Sequence, residues 1–235
     1  MEKLPEFLVW YAVFLFTLTF HEGAHALVAL RGGDDTAERG GQVTLNPLPH
    51  IRREPFGTIV FPILTFFMSG WMMGWASTPY NRYWADRHPR RVAAMSAAGP
   101  VANFVLAGIA FVVLRLLLGS GFFEAPHRVS FGHMVTPTAY SAGGFGTGLA
   151  LLLSVALNLN VLLGLFNLIP LPPLDGAGIA RGLFPGSFGA LLDRLQGNPA
   201  VSMIGLLAAW RIFDFIFPTA FAVVLHLLHP GVYGS

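Results

Sequence analysis

The chain has 235 residues, 54% of them hydrophobic and 11% charged, with a net charge of +2 and no cysteine. A soluble domain carries about a quarter charged residues, so this composition suits a lipid bilayer better than water. The lack of cysteine excludes disulfides, thiolate zinc sites and cysteine nucleophiles, and the near balance of acidic and basic residues leaves no footprint for nucleic acid.

In chain order, the first apolar run extends from Phe7 to Leu30. It exceeds a signal-peptide core, lacks a clear small-residue cleavage site, and is read as a retained transmembrane helix. Arg31 to Phe56 is polar and rich in Gly and Pro. Within it Gln42-Val43-Thr44-Leu45-Asn46 alternates polar and apolar residues, the pattern of a short strand or hairpin whose edge could pair with an extended peptide. Gly57 to Ala76 is just long enough to cross, but Pro62, Gly70 and Gly74 suit a broken, re-entrant segment. Val92 to Leu118, Thr147 to Leu171 and Val201 to Leu228 are further crossings, the last interrupted by Arg211, Asp214 and Pro218. Arg211 and Asp214, three apart, are expected to pair. The fold class expected is therefore an all-α polytopic membrane protein. It has four to five crossings, a re-entrant segment and a possible short β-hairpin, organised as one domain over residues 1–235.

Charge placement orients these segments. Eight of the thirteen Arg residues (31, 39, 52, 53, 82, 87, 90 and 91) fall in two short loops, and such loops stay in the cytoplasm. Both loops share one side only if Gly57 to Ala76 enters the membrane and returns. The first crossing then runs from outside to inside.

The chemistry is concentrated in His21-Glu22-Gly23-Ala24-His25. On a helix, His21 and His25 project from one face and can share a metal ion, while Glu22 can reach a water beside that ion without ligating it. Ionisable groups within an apolar helix are costly to bury and mark a functional site. A catalytic zinc needs a third protein ligand. Asp175 is a candidate because it closes the apolar segment ending Asn167-Leu168-Ile169-Pro170-Leu171-Pro172-Pro173-Leu174-Asp175-Gly176. The ordinary reading of an Asp before Gly is a turn or helix cap. The re-entrant topology, however, puts Asp175 at the depth of His21 and His25.

Taken in order, these motifs resemble the site-2 protease family of intramembrane metalloproteases. His21 to His25 matches HExxH, Asn167 to Gly176 matches NxxPxPxLDG, and Ala98-Gly99-Pro100-Val101-Ala102-Asn103 resembles the family's AGPxxN helix. Asn46-Pro47-Leu48-Pro49-His50-Ile51 and Gly74-Trp75-Ala76 resemble signatures of a small bacterial-type branch without a PDZ domain. Two positions depart from that branch: Arg52 stands where Asp is usual, and Ser77-Thr78-Pro79-Tyr80-Asn81 replaces Lys-Pro-Val-Pro-Val-Asn.

The resemblance implies a zinc metalloendopeptidase with Zn2+ held by His21, His25 and Asp175, and Glu22 as catalytic base. Asn167 and Asn103 are implied as substrate-side residues. Asn167 could equally satisfy carbonyls of the broken helix, and Asn103 could hydrogen-bond between helices. His50 reads as an exposed loop histidine. The substrate implied is a transmembrane protein cut within or beside its membrane segment, with a regulatory membrane protein as a further partner. The implied location is the bacterial inner membrane, with the site toward the cytoplasm. A membrane metal-ion transporter and a catalytically inactive substrate-binding relative are the alternatives.

Overall fold

Each long apolar run forms a helix in the computed structural model, which describes residues 3–196 and 199–233. Helix α1 spans Lys3–Arg31 and is followed by the short α2 (Thr36–Arg39) and α3 (Pro47–Arg53). A π-helical turn at Phe56–Val60 leads into α4 (Phe61–Ser69). Then come α5 (Arg82–Arg87), α6 (Pro89–Gly119), strands β1 (Phe123–Glu124) and β2 (Thr136–Pro137), α7 (Gly144–Asn167), α8 (Asp175–Leu183), α9 (Ser187–Gln196) and α10 (Pro199–Leu228). Among the described residues α1, α6, α7 and α10 are long and apolar enough to cross a membrane.

The four crossings are not equivalent. In α1 and α7, 61% and 67% of the most apolar window is buried inside the protein, against 11% in α10. The α1–α6–α7 group is therefore the core, and α10 is a peripheral helix with a lipid-facing surface. Pro218 lies inside α10 without ending it, as membrane helices tolerate. Arg211 and Asp214 are both exposed on this helix and, contrary to the sequence expectation, no ion pair joins them among the described residues.

The segment expected to re-enter doubles back on itself beside α1. Phe56–Ser69 is too short to cross, and its far end packs Phe66 and Phe67 against Phe7 near the start of α1. Gly70 then takes a left-handed conformation (φ 81°), which favours glycine, and ends α4. From there the chain returns along α1 without regular secondary structure. Gly74 lies against Phe14, Thr78 bonds to Glu22, and the Asn81 amide donates to Asp34 beyond the end of α1. The Arg-rich loops are gathered at this end, where Trp84 and Arg91 both donate to the carbonyl of Gly32.

The strand expected at Gln42–Asn46 is absent; Val43, Thr44 and Leu45 form a bend. Local hydrogen bonds win over the alternating pattern. Thr44 Oγ1 accepts from the Asn46 amide, and Asn46 caps α3 by accepting from the Leu48 amide, with Pro47 at the first helical position. The two-stranded sheet lies at the opposite end of the bundle, pairing Phe123 with Pro137 and Glu124 with Thr136.

Candidate metal centre

His21 and His25 lie one turn apart on the buried face of α1, 7% and 6% exposed. The chain leaves α7 at Asn167, turns through Pro170, Pro172 and Pro173, and starts α8 at Asp175. Gly176 makes that turn possible, since a Cβ there would sit 2.4 Å from the carbonyl oxygens of Leu168 and Ile169. The result delivers the Asp175 carboxylate to the histidines. His21 Nε2 is 3.1 Å from one oxygen, His25 Nε2 is 3.3 Å from the other, and the two Nε2 atoms are 3.0 Å apart.

The hydrogen bonds behind the rings decide what these atoms can do. His25 Nδ1 lies 2.7 Å from the carbonyl of Met95, which can only accept, so Nδ1 carries the proton. For His21 the assignment starts two residues further back. The carbonyl of Ala156 accepts from Asn160 Nδ2, which turns Asn160 Oδ1 toward Asn103. Asn103 Nδ2 donates to that oxygen at 2.9 Å, leaving Asn103 Oδ1 to accept from His21 Nδ1 at 2.5 Å. With both neutral rings protonated at Nδ1, two bare Nε2 lone pairs and a carboxylate face one point. That arrangement repels itself unless a cation sits among the three, so the donor set fits a metal. Asp175 Oδ2 is buried and has no hydrogen-bond partner among the described residues, an oxygen that a metal ion would satisfy.

Gly99 on α6 provides the space. A Cβ there would lie 2.4 Å from His25 Nε2 and 2.5 Å from His21 Nε2, inside the volume the imidazoles need. Glu22, 5% exposed, faces the returning segment, where Thr78 Oγ1 donates to its Oε2 at 2.7 Å.

Several expected residues fall elsewhere. Asn103 is fully buried behind His21 with both ends of its amide engaged, so it orients a histidine rather than lining the substrate cleft. Asn167 donates to the carbonyl of Leu163 one turn back, the bond expected of a residue satisfying helix carbonyls. His50 is 1% exposed rather than on the surface, because capping by Asn46 rolls α3 so that its Nε2 faces the carbonyl of Thr44, 3.3 Å away. Asn160, Thr17 and Thr78 were not singled out from the sequence; for Asn160 the available signal was an amide inside an apolar run. A cavity of about 1110 Å³ between α1, α7 and α10 contains none of His21, Glu22, His25 or Asp175 among its lining residues.

The asparagine pair carries a test of its own. Asn103→Leu leaves His21 Nδ1 without a partner in a buried site. Metal affinity is expected to fall by roughly 10–100-fold, the usual effect of losing such an outer hydrogen bond. Zinc competition with a chelator measures it; unchanged affinity contradicts the orienting role.

Fold and donor set together define a class: a polytopic helical membrane protein with a two-histidine, one-carboxylate centre and a glutamate beside it. The chain matches the family model "Peptidase family M50" over residues 9–212, and it belongs to that family, the site-2 protease family of zinc metalloproteases. It is 34% identical over 218 residues to the protein named "Putative zinc metalloprotease YwhC" of Bacillus subtilis, covering 92% of this chain and 84% of the relative. "Putative zinc metalloprotease Rip2" of Mycolicibacterium smegmatis is 32% identical over 172 residues, 73% of this chain. Rip2 of Mycobacterium tuberculosis is 30% identical over 170 residues, 72% of this chain. The chain spans just over half the length of the two Rip2 proteins, 56% and 55%. No solved structure matches it.

Proposed function

We propose that this protein is an intramembrane endopeptidase that hydrolyses peptide bonds within or beside transmembrane segments of other membrane proteins, with its site toward the cytoplasmic side of a bacterial inner membrane. The carrying observation is the convergence of His21 Nε2, His25 Nε2 and the Asp175 carboxylate, with Glu22 alongside, on a helix long and apolar enough to span a bilayer. Clustering of the Arg-rich loops at the same end supports the orientation.

In this reading His21, His25 and Asp175 hold Zn2+, which supplies Lewis acidity toward a water and the scissile carbonyl. Glu22 accepts the proton of the attacking water and returns it to the departing amine. Asn103 and Met95 keep both Nε2 atoms free of protons and aimed at one point. The surrounding bundle limits water to what the reaction consumes.

A helical substrate must unwind to expose its backbone, and the returning segment offers it a place. In that segment the Trp75 amide bonds Gly57 and the Asn81 amide bonds Asp34. The amides of Ala76, Thr78 and Tyr80 bond to nothing among the described residues. Unbonded amides beside Glu22 can pair with the backbone of an unwound substrate. They take the role the sequence suggested for residues 42–46. The Oδ1 of Asn167 is a further acceptor for the same backbone.

The test is reconstitution of the purified protein with membrane proteins of the cell that expresses it, followed by mass spectrometry of new chain ends. Ends inside apolar segments are expected, lost on treatment with a zinc chelator and regained on adding zinc. Cleavage that survives chelation, or no new ends in apolar segments, overturns the reading.

A further inference from the structure

The returning segment reaches the glutamate itself. Thr78 Oγ1 lies 2.7 Å from Glu22 Oε2 and 3.0 Å from the Glu22 carbonyl oxygen. A hydroxyl has one proton to give, and the shorter contact, to a carboxylate oxygen, is the stronger acceptor. Glu22 has no other hydrogen-bond partner for its side chain among the described residues, so Oε1 is left without one. Among the described residues, Thr78 is the hydrogen-bond partner that fixes the rotation of the Glu22 carboxylate.

Thr78 is itself held on both sides. Ser77 donates to Glu54 at 2.7 Å and accepts from Arg53 at 3.1 Å, while its carbonyl accepts from Gln42 at 3.3 Å. The Asn81 amide, three residues on, is fixed to Asp34 at 2.8 Å. The segment is thus clamped immediately before the threonine and again three residues after it, by groups on the polar loop and just beyond the end of α1. This places Thr78 where the same segment presents its unbonded amides.

We infer that Thr78 is a positioning residue for the general base. Its hydroxyl anchors Oε2 of Glu22 and leaves Oε1 as the oxygen that exchanges protons with the attacking water and the leaving amine. The segment that receives the substrate thereby also sets the base. This rests on the assignment of Glu22 as the base of a peptidase. Near-attack geometry is demanding: a displacement of about 1 Å can cost on the order of 10²-fold in rate. Thr78→Val keeps the shape and removes the proton, whereas Thr78→Ser keeps the proton and removes a methyl group.

The test compares wild type, Thr78→Val and Thr78→Ser in the cleavage assay, with zinc content and hydrogen exchange of residues 72–81 measured on each. Thr78→Val is expected to lower kcat by at least about tenfold, with KM, zinc content and exchange unchanged. Thr78→Ser is expected to retain kcat within about twofold, since its hydroxyl can make the same bond. Full turnover by Thr78→Val, or an equal loss in Thr78→Ser, overturns the inference. So does a loss in Thr78→Val accompanied by higher KM and faster exchange, the mark of a segment that has merely come loose. Wild-type protein without Glu22-dependent cleavage overturns the proposed function and this inference with it. Glu22-dependent cleavage with an unaffected Thr78→Val overturns the inference alone.

Discussion

Replacing Glu22 with Gln is expected to lower turnover by on the order of 10³-fold while zinc content stays at the wild-type level. The two side chains have nearly the same volume and both keep an oxygen that can accept from Thr78, so the bond at Oε2 survives the change. What is lost is the ability to take up a proton. The amide cannot accept one from the attacking water and cannot return one to the amine. The metal-binding atoms are not disturbed, because Glu22 contributes none of the three that converge and the partners of His21 and His25 lie on the other side of the rings. Measuring kcat beside zinc per chain by elemental analysis separates the two roles. Turnover near wild type removes Glu22 as the base, and loss of zinc makes it part of the metal centre instead.

How much of this was readable beforehand depended on whether a feature is local. The HExxH pair needs only helical spacing, so its geometry on α1 follows from the sequence itself. The doubling back of residues 57–76 was legible because Pro62, Gly70 and Gly74 interrupt a run only just long enough to span, and because two Arg-rich loops demand the same side. Asp175 was a candidate from its place at the end of an apolar segment, and that topology strengthened the case by putting it at the depth of the histidines. Residues 42–46 went the other way: their alternation suggested a strand, but the Asn46 cap and Pro47 are stronger local instructions than a five-residue pattern. The supporting polar chain was not legible. Asn103 and Asn160 are 57 positions apart, and Asn160 and Thr17 are 143 apart. Thr78 and Glu22 are 56 apart. Nothing in local composition reports which amide meets which imidazole, since such pairs exist only once α1, α6 and α7 have packed. Buried polar side chains in an apolar helix signal that partners exist without naming them.

Asp175→Ala is expected to empty the site. Two imidazoles remain on α1, still oriented by Asn103 and Met95, so the variant isolates the carboxylate contribution. Three features make that contribution large. The carboxylate supplies the only negative charge among the three converging groups, and a divalent ion at a membrane helix depends on that charge to offset its desolvation. It arrives from a different element, so it closes the site across the α1–α8 contact. It also presents two oxygens, one 3.1 Å from His21 Nε2 and the other 3.3 Å from His25 Nε2. The loss in zinc affinity should therefore exceed the roughly 10–100-fold that removal of an outer hydrogen bond costs, placing Asp175→Ala well below Asn103→Leu in a chelator competition. Gly176 is untouched by the substitution, so the turn after Pro173 can still form, and a thermal melt of each protein in the presence of chelator distinguishes metal loss from misfolding. If Asp175→Ala binds zinc as tightly as wild type while melting normally, the third ligand lies elsewhere. The convergence of Asp175 with His21 and His25 is then structural, and the assignment of this centre as catalytic loses its main support.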